Sequence, residues 1–326
     1  MEYSLLNVQD LRTYFFTPKG VVKAVDGVSY KLEKGGSLGI VGESGCGKSV
    51  SALSLLRLIP EPPGKIITGK IYFEGKDLIQ LPRAEMRKIR GKRISMIFQD
   101  PMSSLDPVFT IGNQISETIR LDQKLSRKEL MRRSTEMLDL VRIPNPRGAL
   151  SKYPHELSGG MQQRVMIAIA LCSNPDLLIA DEPTTSLDVT IQAQILDLIV
   201  NLRYKLGMAF ILITHNLGLI SETVEKVSVM YAGNIVEEAA TRVIFKNPIH
   251  PYTKGLLRSI PLLGNKVRFG NVRLEEIPGT VPSLHEMLVG CKFSNRCKYA
   301  IDICGKEEPE LREIEEGHFN RCWRMP

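Results

Sequence analysis

No uninterrupted apolar run in the 326 residues approaches the ~18 that a membrane span requires. The opening MEYSLLNVQD has neither the basic start nor the apolar core of a signal peptide. Cysteine is scarce and unevenly placed: of six, four fall in the last 36 residues, too few and too local for a secreted disulfide scaffold. Strong charge of one sign is also missing. Lys and Arg number 43 against 36 Asp and Glu, and the resulting +7 permits nucleic-acid or membrane-surface contact without selecting either. With 43% apolar and 24% charged residues the composition is that of an ordinary soluble chain, longer than one typical domain. The expectation is a cytosolic protein that meets a membrane only through a partner.

The most informative stretch present is Gly42 to Ser49, GESGCGKS, which fits G-x-x-x-x-G-K-[ST]. The apolar run Leu38 to Val41 before it reads as a buried strand, and SVSALSLLRLI after it has helical apolar spacing. Glycines at 42, 45 and 47 let the backbone turn tightly and aim N–H groups at an anion, which the following helix N-terminus also attracts. The candidate phosphate cradle is therefore Gly42, Glu43, Ser44, Gly45, Cys46, Gly47, Lys48, Ser49 and Val50. Lys48 is expected on the β- and γ-phosphates of ATP, and the Ser49 hydroxyl on Mg²⁺. Cys46 reads as a small neutral residue whose pKa the helix N-terminus can lower; thiol alkylation should then inhibit, and ATP should protect.

Strands are expected at Leu5 to Leu11, Val25 to Leu32, Gly69 to Phe73 and Ile94 to Phe98. Between the first two, Tyr14, Phe15 and Phe16 are placed on a loop, where one aromatic either stacks on adenine or covers a sheet edge. Gln99 can ligate Mg²⁺ or hold a water, and on its own is weak. From about residue 100 to 172 the pattern turns helical, and Ser158 reads as the N-cap of a helix opening with Gly159 and Gly160, a second anion nest. Leu177 to Ala180 is an apolar strand ending in Asp181 and Glu182, suited to hold Mg²⁺ through water and to polarise the attacking water. Asp188 follows in a turn, and His215 ends the apolar run Met208 to Thr214. Two phosphate nests over a hundred residues apart either face one site or serve nucleotides held by different subunits.

GESGCGKS, Gln99, LSGGMQQR, LLIADEP, the Ser186-Leu187-Asp188 turn and His215 together resemble the ABC-type ATPase family over roughly residues 5–238. The resemblance implies an α/β fold, a P-loop NTPase core of the ABC type with an α-helical subdomain at about 100–172. It implies Gly42 to Ser49 as Walker A, Gln99 as the Q-loop, and Ser158, Gly159, Gly160 and Gln162 within the signature. Asp181 then matches the Walker B aspartate, Glu182 the catalytic glutamate, Asp188 the D-loop and His215 the switch histidine. Phe15 best matches the adenine-stacking aromatic, with Tyr14 second. Ser186 stands where Ala is usual and Asn216 where Asp is common; neither removes a catalytic group. In this family two cassettes pair head to tail, each signature closing on the other's nucleotide. One copy of each motif therefore implies a second ATPase subunit, for which a paralogue is expected.

Residues 239–326 read as a separate C-terminal domain, with KNPIHPYTKGLLRSIP as a linker and short helix, and IPGTVPSL as irregular. Cys291, Cys297, Cys304 and Cys322 form a C-x5-C-x6-C-x17-C array without the tight pairs of structural zinc. Four widely spaced thiolates suit a [4Fe–4S] cluster, while zinc and free thiols stay open. Cys172, at a helix end, reads as core. HPYT and the array resemble the C-terminal region of oligopeptide and dipeptide permease ATPases, where such an array is associated with an iron–sulfur cluster in a small irregular metal-binding domain. The resemblance thus implies a cassette on the cytoplasmic face of the membrane that drives uptake of di- or oligopeptides. Its partners would be two membrane permease subunits and, indirectly, an extracellular solute-binding protein, with no nucleic acid expected. Importers of nickel or other small solutes, and soluble ABC ATPases of DNA repair or translation, share the core motifs and are the competing readings.

Overall fold

Ser37–Val41 is buried at all five positions, as is Leu177–Asp181, the pattern of strands covered on both faces. The computed structural model describes residues 4–100, 104–122, 124–185, 187–259, 277–280, 282 and 289–324. Ser186 and parts of IPGTVPSL lie outside them. In chain order the strands are β1 (Leu6–Thr17), β2 (Gly20–Leu32), β3 (Ser37–Val41), β4 (Gly64–Phe73), β5 (Lys76–Asp77) and β6 (Ile94–Ile97). They continue with β7 (Leu177–Asp181), β8 (Ala209–Thr214), β9 (Lys226–Tyr231), β10 (Asn234–Ala240), β11 (Arg312–Glu315) and β12 (His318–Asn320). The helices are α1 (Lys48–Leu55), α2 (Arg83–Ile89), α3 (Ile111–Asp122), α4 (Arg127–Leu140) and α5 (Pro146–Ala149). After these come α6 (Gly159–Leu171), α7 (Val189–Leu206), α8 (Leu217–Ile220), α9 (Thr241–Lys246) and α10 (Pro251–Arg258). Among the described residues no helix is long and apolar enough to cross a membrane.

The chain divides into two compact units, the first made of Met1–Leu32, Ser37–Ile79 and Ile213–Pro326, the second of Glu33–Gly36 and Gln80–Leu212. In the first, β2-β1-β4-β5 form an antiparallel sheet. Strand β3 pairs in parallel with β9, and β9, β10, β12 and β11 continue antiparallel. The last residues thus join a sheet of the P-loop's own unit, through pairs such as Glu237 with Asn320. They belong to the same compact unit as the P-loop, and among the described residues no metal-holding group marks the expected metal-binding domain.

Tyr14, Phe15 and Phe16 lie inside β1, not on a loop, and β1 runs to Thr17. Register shifts between Val8 and Tyr14 disrupt the period-two alternation that would have announced so long a strand.

The second unit carries β6 and β7 as a parallel pair, with β7 next to β8 in strand order, and the helices α2 to α7. Helix α4 starts with a capping box in which Ser126 and Glu129 satisfy each other's backbone N–H groups. Arg203 of α7 is buried and donates twice, at 2.6 and 3.1 Å, to the Gly35 carbonyl, fixing the Glu33–Gly36 turn within this unit.

Candidate active site

In the first unit, β3 delivers the chain at Val41 into the loop, and α1 leaves it at Lys48. Gly42 has no room for a side chain: a Cβ there would lie 2.1 Å from the Met230 carbonyl oxygen and 2.8 Å from Cys46 Sγ. Gly47, at φ 103°, caps α1, and a Cβ on it would lie 2.0 Å from the Ala24 carbonyl oxygen. Both glycines are therefore demanded by close backbone approach, and Gly47 by a left-handed conformation as well. Lys48 is buried and donates to the carbonyls of Gly42 at 2.8 Å and Glu43 at 3.0 Å, so its ammonium is drawn back across the loop that it follows. Ser49 is half-buried at the helix start, while Ser44 and Gly45 are exposed.

Cys46 is fully buried, and that burial pushes its thiol pKa up despite the nearby Lys48 charge. The expected lowering by the helix N-terminus is corrected: desolvation of the thiolate outweighs the dipole. Tyr14 donates to Asp26 at 2.6 Å, and Asp26 also takes Arg12 at 2.9 Å and Lys292 at 3.1 Å. Phe15 is half-buried, with ring atoms 2.9 and 3.1 Å from where a Gly64 Cβ would stand, and Phe16 is exposed. His215 is exposed just beyond β8 in this unit, and Asn216 beside it caps α8 by accepting from the Gly218 N–H at 2.9 Å.

The second unit gathers the acidic residues. Because β6 and β7 are parallel, their carboxyl ends lie on one edge, which brings Gln99 to Glu182. Gln99 Nε2 donates to Glu182 Oε2 at 3.2 Å, and Thr185 Oγ1 donates to the same oxygen at 3.0 Å. Glu182 has φ 45°, unusual for a residue with a side chain, so its carboxylate is aimed by strained backbone as well as by hydrogen bonds. Asp181 is buried at the strand end. Within this unit Asp181 and the Gln99 Oε1 are hard oxygen donors of the kind Mg²⁺ takes; in the first unit the Ser49 hydroxyl is one.

Ser158 precedes α6, but its hydroxyl makes no capping bond to that helix, which corrects its expected role as a side-chain cap. Gln162 is buried and donates to the carbonyls of Pro154 at 2.8 Å and Leu157 at 3.3 Å. A Cβ on Gly160 would meet Ile191 at 3.0 Å and one on Gly159 would meet Leu187 at 3.5 Å, so the two glycines bring α6 close to α7. Asp188 caps α7, accepting from the Ile191 N–H at 2.9 Å.

The C-terminal cysteines lie in the first unit. The Cys291 N–H donates to the Cys304 carbonyl at 2.8 Å. Burial pushes the Cys291 thiol up to about 11, and the neighbouring thiols of Cys304, Cys322 and Cys297 add to the rise. The four donors therefore share one neighbourhood. Among the described residues, however, no group of three or more His, Cys, Asp or Glu is arranged to hold a metal ion, so a preformed single-ion site is not present. Cys172 is buried at the end of α6 with its pKa pushed up to about 12, as a core residue should be.

Sequence reasoning missed Tyr252 and Arg296. The Tyr252 hydroxyl accepts from the Glu43 N–H at 2.9 Å, and Arg296 Nη1 lies 3.0 and 3.1 Å from the two Glu43 carboxylate oxygens. The HPYT string was a signal for Tyr252; nothing local marks Arg296.

A glycine-rich strand-to-helix loop in one unit, and a strand-end Asp-Glu pair with a glycine-led helix in the other, are the parts of a P-loop ATPase. Residues 25–185 match the ABC transporter family. The chain is 53% identical over 320 residues to a probable peptide ABC transporter ATP-binding protein of Sinorhizobium fredii, covering 98% of this chain and 95% of that protein. It is 49% identical to the oligopeptide transport ATP-binding protein OppD of Bacillus subtilis, over 98% and 89% of the two chains. The chain belongs to the ABC transporter ATP-binding proteins, and ATP hydrolysis is its activity. Residues 236–304 match the oligopeptide/dipeptide transporter C-terminal region. Among solved structures, the dimeric ATP-binding cassette MJ0796 bound to ADP and Pi has a TM-score of 0.65 at 26% identity, covering 73% of this chain and 99% of that one. The cassette cbiO1 of Clostridium perfringens, part of the complex cbiONQ, has a TM-score of 0.64 at 27% identity, over 75% and 91%.

Proposed function

We propose that the chain is the ATP-hydrolysing subunit of a peptide importer. What carries this reading is the match of residues 236–304 to the oligopeptide/dipeptide transporter C-terminal region, within a chain aligned end to end with peptide-transport ATPases. Gly42 to Val50 cradle the phosphates of ATP, Lys48 neutralises the γ-phosphate, and Ser49, Gln99 and Asp181 hold Mg²⁺, which spreads the charge of the transferring phosphoryl group. Glu182, aimed by Gln99 and Thr185, accepts the proton of the attacking water, and His215 steadies the γ-phosphate. Phe15, or Tyr14, covers the adenine. In a head-to-tail pair, Ser158, Gly159, Gly160, Gln162 and Asp188 of one subunit meet the nucleotide of the other; that the cassette MJ0796 is dimeric supports pairing as such. The partner is a paralogous ATPase, and the pair acts on two membrane permeases at the cytoplasmic face, fed by a solute-binding protein. Residues 239–326 act as the transporter-specific region.

The four C-terminal cysteines hold a [4Fe–4S] cluster in this reading. A single Zn²⁺, with Zn–S bonds of about 2.3 Å, needs its sulfurs in mutual contact. In a cluster each thiolate caps a different iron, which suits the wide C-x5-C-x6-C-x17-C spacing. Uptake of a labelled oligopeptide by cells lacking this chain, beside uptake of Ni²⁺, tests the solute: lost Ni²⁺ uptake with normal peptide uptake would refute the peptide reading. A visible absorbance band in anaerobically purified protein tests the cluster.

A further inference from the structure

Glu43 is an acid inside a loop whose other groups collect positive potential. The N–H groups, the α1 dipole and Lys48 all attract phosphate, so a carboxylate two positions after Val41 is of the ligand's own sign. The structure shows how that charge is handled. Arg296 Nη1 lies 3.0 and 3.1 Å from the two Glu43 oxygens, and the Arg296 side chain is only 7% exposed against 27% for Glu43. The guanidinium is itself fixed by three further acceptors: the Tyr231 hydroxyl at 3.3 Å, the Pro278 carbonyl at 2.9 Å and the Ile277 carbonyl at 3.4 Å. Beside it, the Tyr252 hydroxyl accepts the Glu43 N–H at 2.9 Å, so both the backbone and the side chain of Glu43 are held from the C-terminal region. Tyr252 is anchored in turn: its ring packs on Tyr231 and Phe293, with centroids 4.6 and 5.4 Å away. All of these residues belong to the first unit.

We infer that Arg296 and Tyr252 are positioning residues for ATP, forming a clamp that neutralises Glu43 and sets the loop, so that the transporter-specific tail tunes nucleotide affinity. The inference rests on the ATP-binding role of the loop and is independent of the solute carried. Arg296→Gln leaves the Glu43 carboxylate uncompensated beside the phosphates, whereas removing both charges takes away the repulsion and the need for the clamp.

The test is MgATP binding to the full-length protein, read by displacement of a fluorescent nucleotide, with steady-state ATPase kinetics alongside. Arg296→Gln should weaken affinity about tenfold, and adding Glu43→Gln in the same chain should recover most of the loss. Arg296→Lys, which keeps the charge but cannot span the two carbonyls, should fall between. KM for ATP should rise while kcat at saturating ATP changes little, because the interaction serves binding; a loss of folded protein would instead lower kcat. Should Arg296→Gln not fold, Tyr252→Phe removes only the hydroxyl and should weaken affinity in the same direction. Equal losses with and without Glu43, or unchanged affinity in Tyr252→Phe, would overturn the clamp. Binding that survives Lys48→Ala would overturn the loop's role and the clamp with it. Lys48-dependent binding indifferent to Arg296 would overturn the clamp alone.

Discussion

Replacing His250 with Asn should flatten the acid side of this protein's stability curve. His250 is 1% exposed, and its side chain accepts the Tyr252 N–H at 3.1 Å as the cap of α10. Burial, aided by the charges of Arg321 and Lys254, lowers its pKa from 6.5 to about 3. The sign follows from proton counts. Below about pH 6.5 the unfolded chain takes up a proton that the folded chain refuses, so the full stability is present above that value and drains away as pH falls toward 3. Each pH unit within that window costs about 1.4 kcal/mol, so moving from pH 7 to pH 5 removes about 2 kcal/mol. A cooperative unit of this size should then lose about 4–8 °C in Tm from this group. Asn caps a helix N-terminus with a side-chain oxygen and does not titrate. Thermal unfolding of wild type and His250→Asn at both pH values gives the difference that matters, because every other titrating group is shared. A variant that loses as much Tm as the wild type would refute the argument.

Three further outcomes are expected. Glu182→Gln keeps an oxygen to accept from Gln99 and Thr185, so MgATP should still bind while turnover falls by about 10²–10⁴; near-normal hydrolysis would contradict the assigned role. Cys46, fully buried with a raised pKa, should react with alkylating reagents far more slowly than a free model thiol at pH 8, read by mass spectrometry. Prompt stoichiometric labelling would show that the loop opens. Glu237 is buried and accepts from Ile249 N–H at 2.7 Å and His250 N–H at 3.0 Å, and it pairs with His318 at 2.8 Å. Glu237→Ala leaves these groups without their acceptor and should cost about 1–3 kcal/mol for each one left unsatisfied, visible as early proteolysis after β10; unchanged protease resistance would argue against it.

The motifs were legible because their chemistry is local. A loop that must wrap phosphate needs its glycines and lysine at fixed spacing, and the apolar runs before Gly42, Asp181 and His215 became β3, β7 and β8 nearly as read. The aromatic stretch was misplaced because bulges in β1 hide its alternation. The C-terminal region was harder, since its partners are distant: Asn320 pairs with Glu237, Arg296 reaches back to Glu43 and Lys292 to Asp26. One cue was available. Glu237 and Glu238 sit in the run NIVEEAA, and two acids in so apolar a strand demand partners from elsewhere, here His318, Lys226 and Ser228.

The division of the chain also orders its assembly in time. The second unit is almost entirely the unbroken run Gln80–Leu212, whereas the first is stitched from three segments, the last beginning at Ile213. As synthesis proceeds from the N-terminus, the helical half has all its residues before the nucleotide-gripping half does. Strands β1, β2, β4 and β5 can pair with one another early, but β3 must wait for its parallel partner β9, and loop closure over that span slows folding. Asp181 and Glu182 can thus be set in place while the loop from Gly42 to Ser49 is still unfinished. That loop gains the Arg296 and Tyr252 contacts only when the tail has been made.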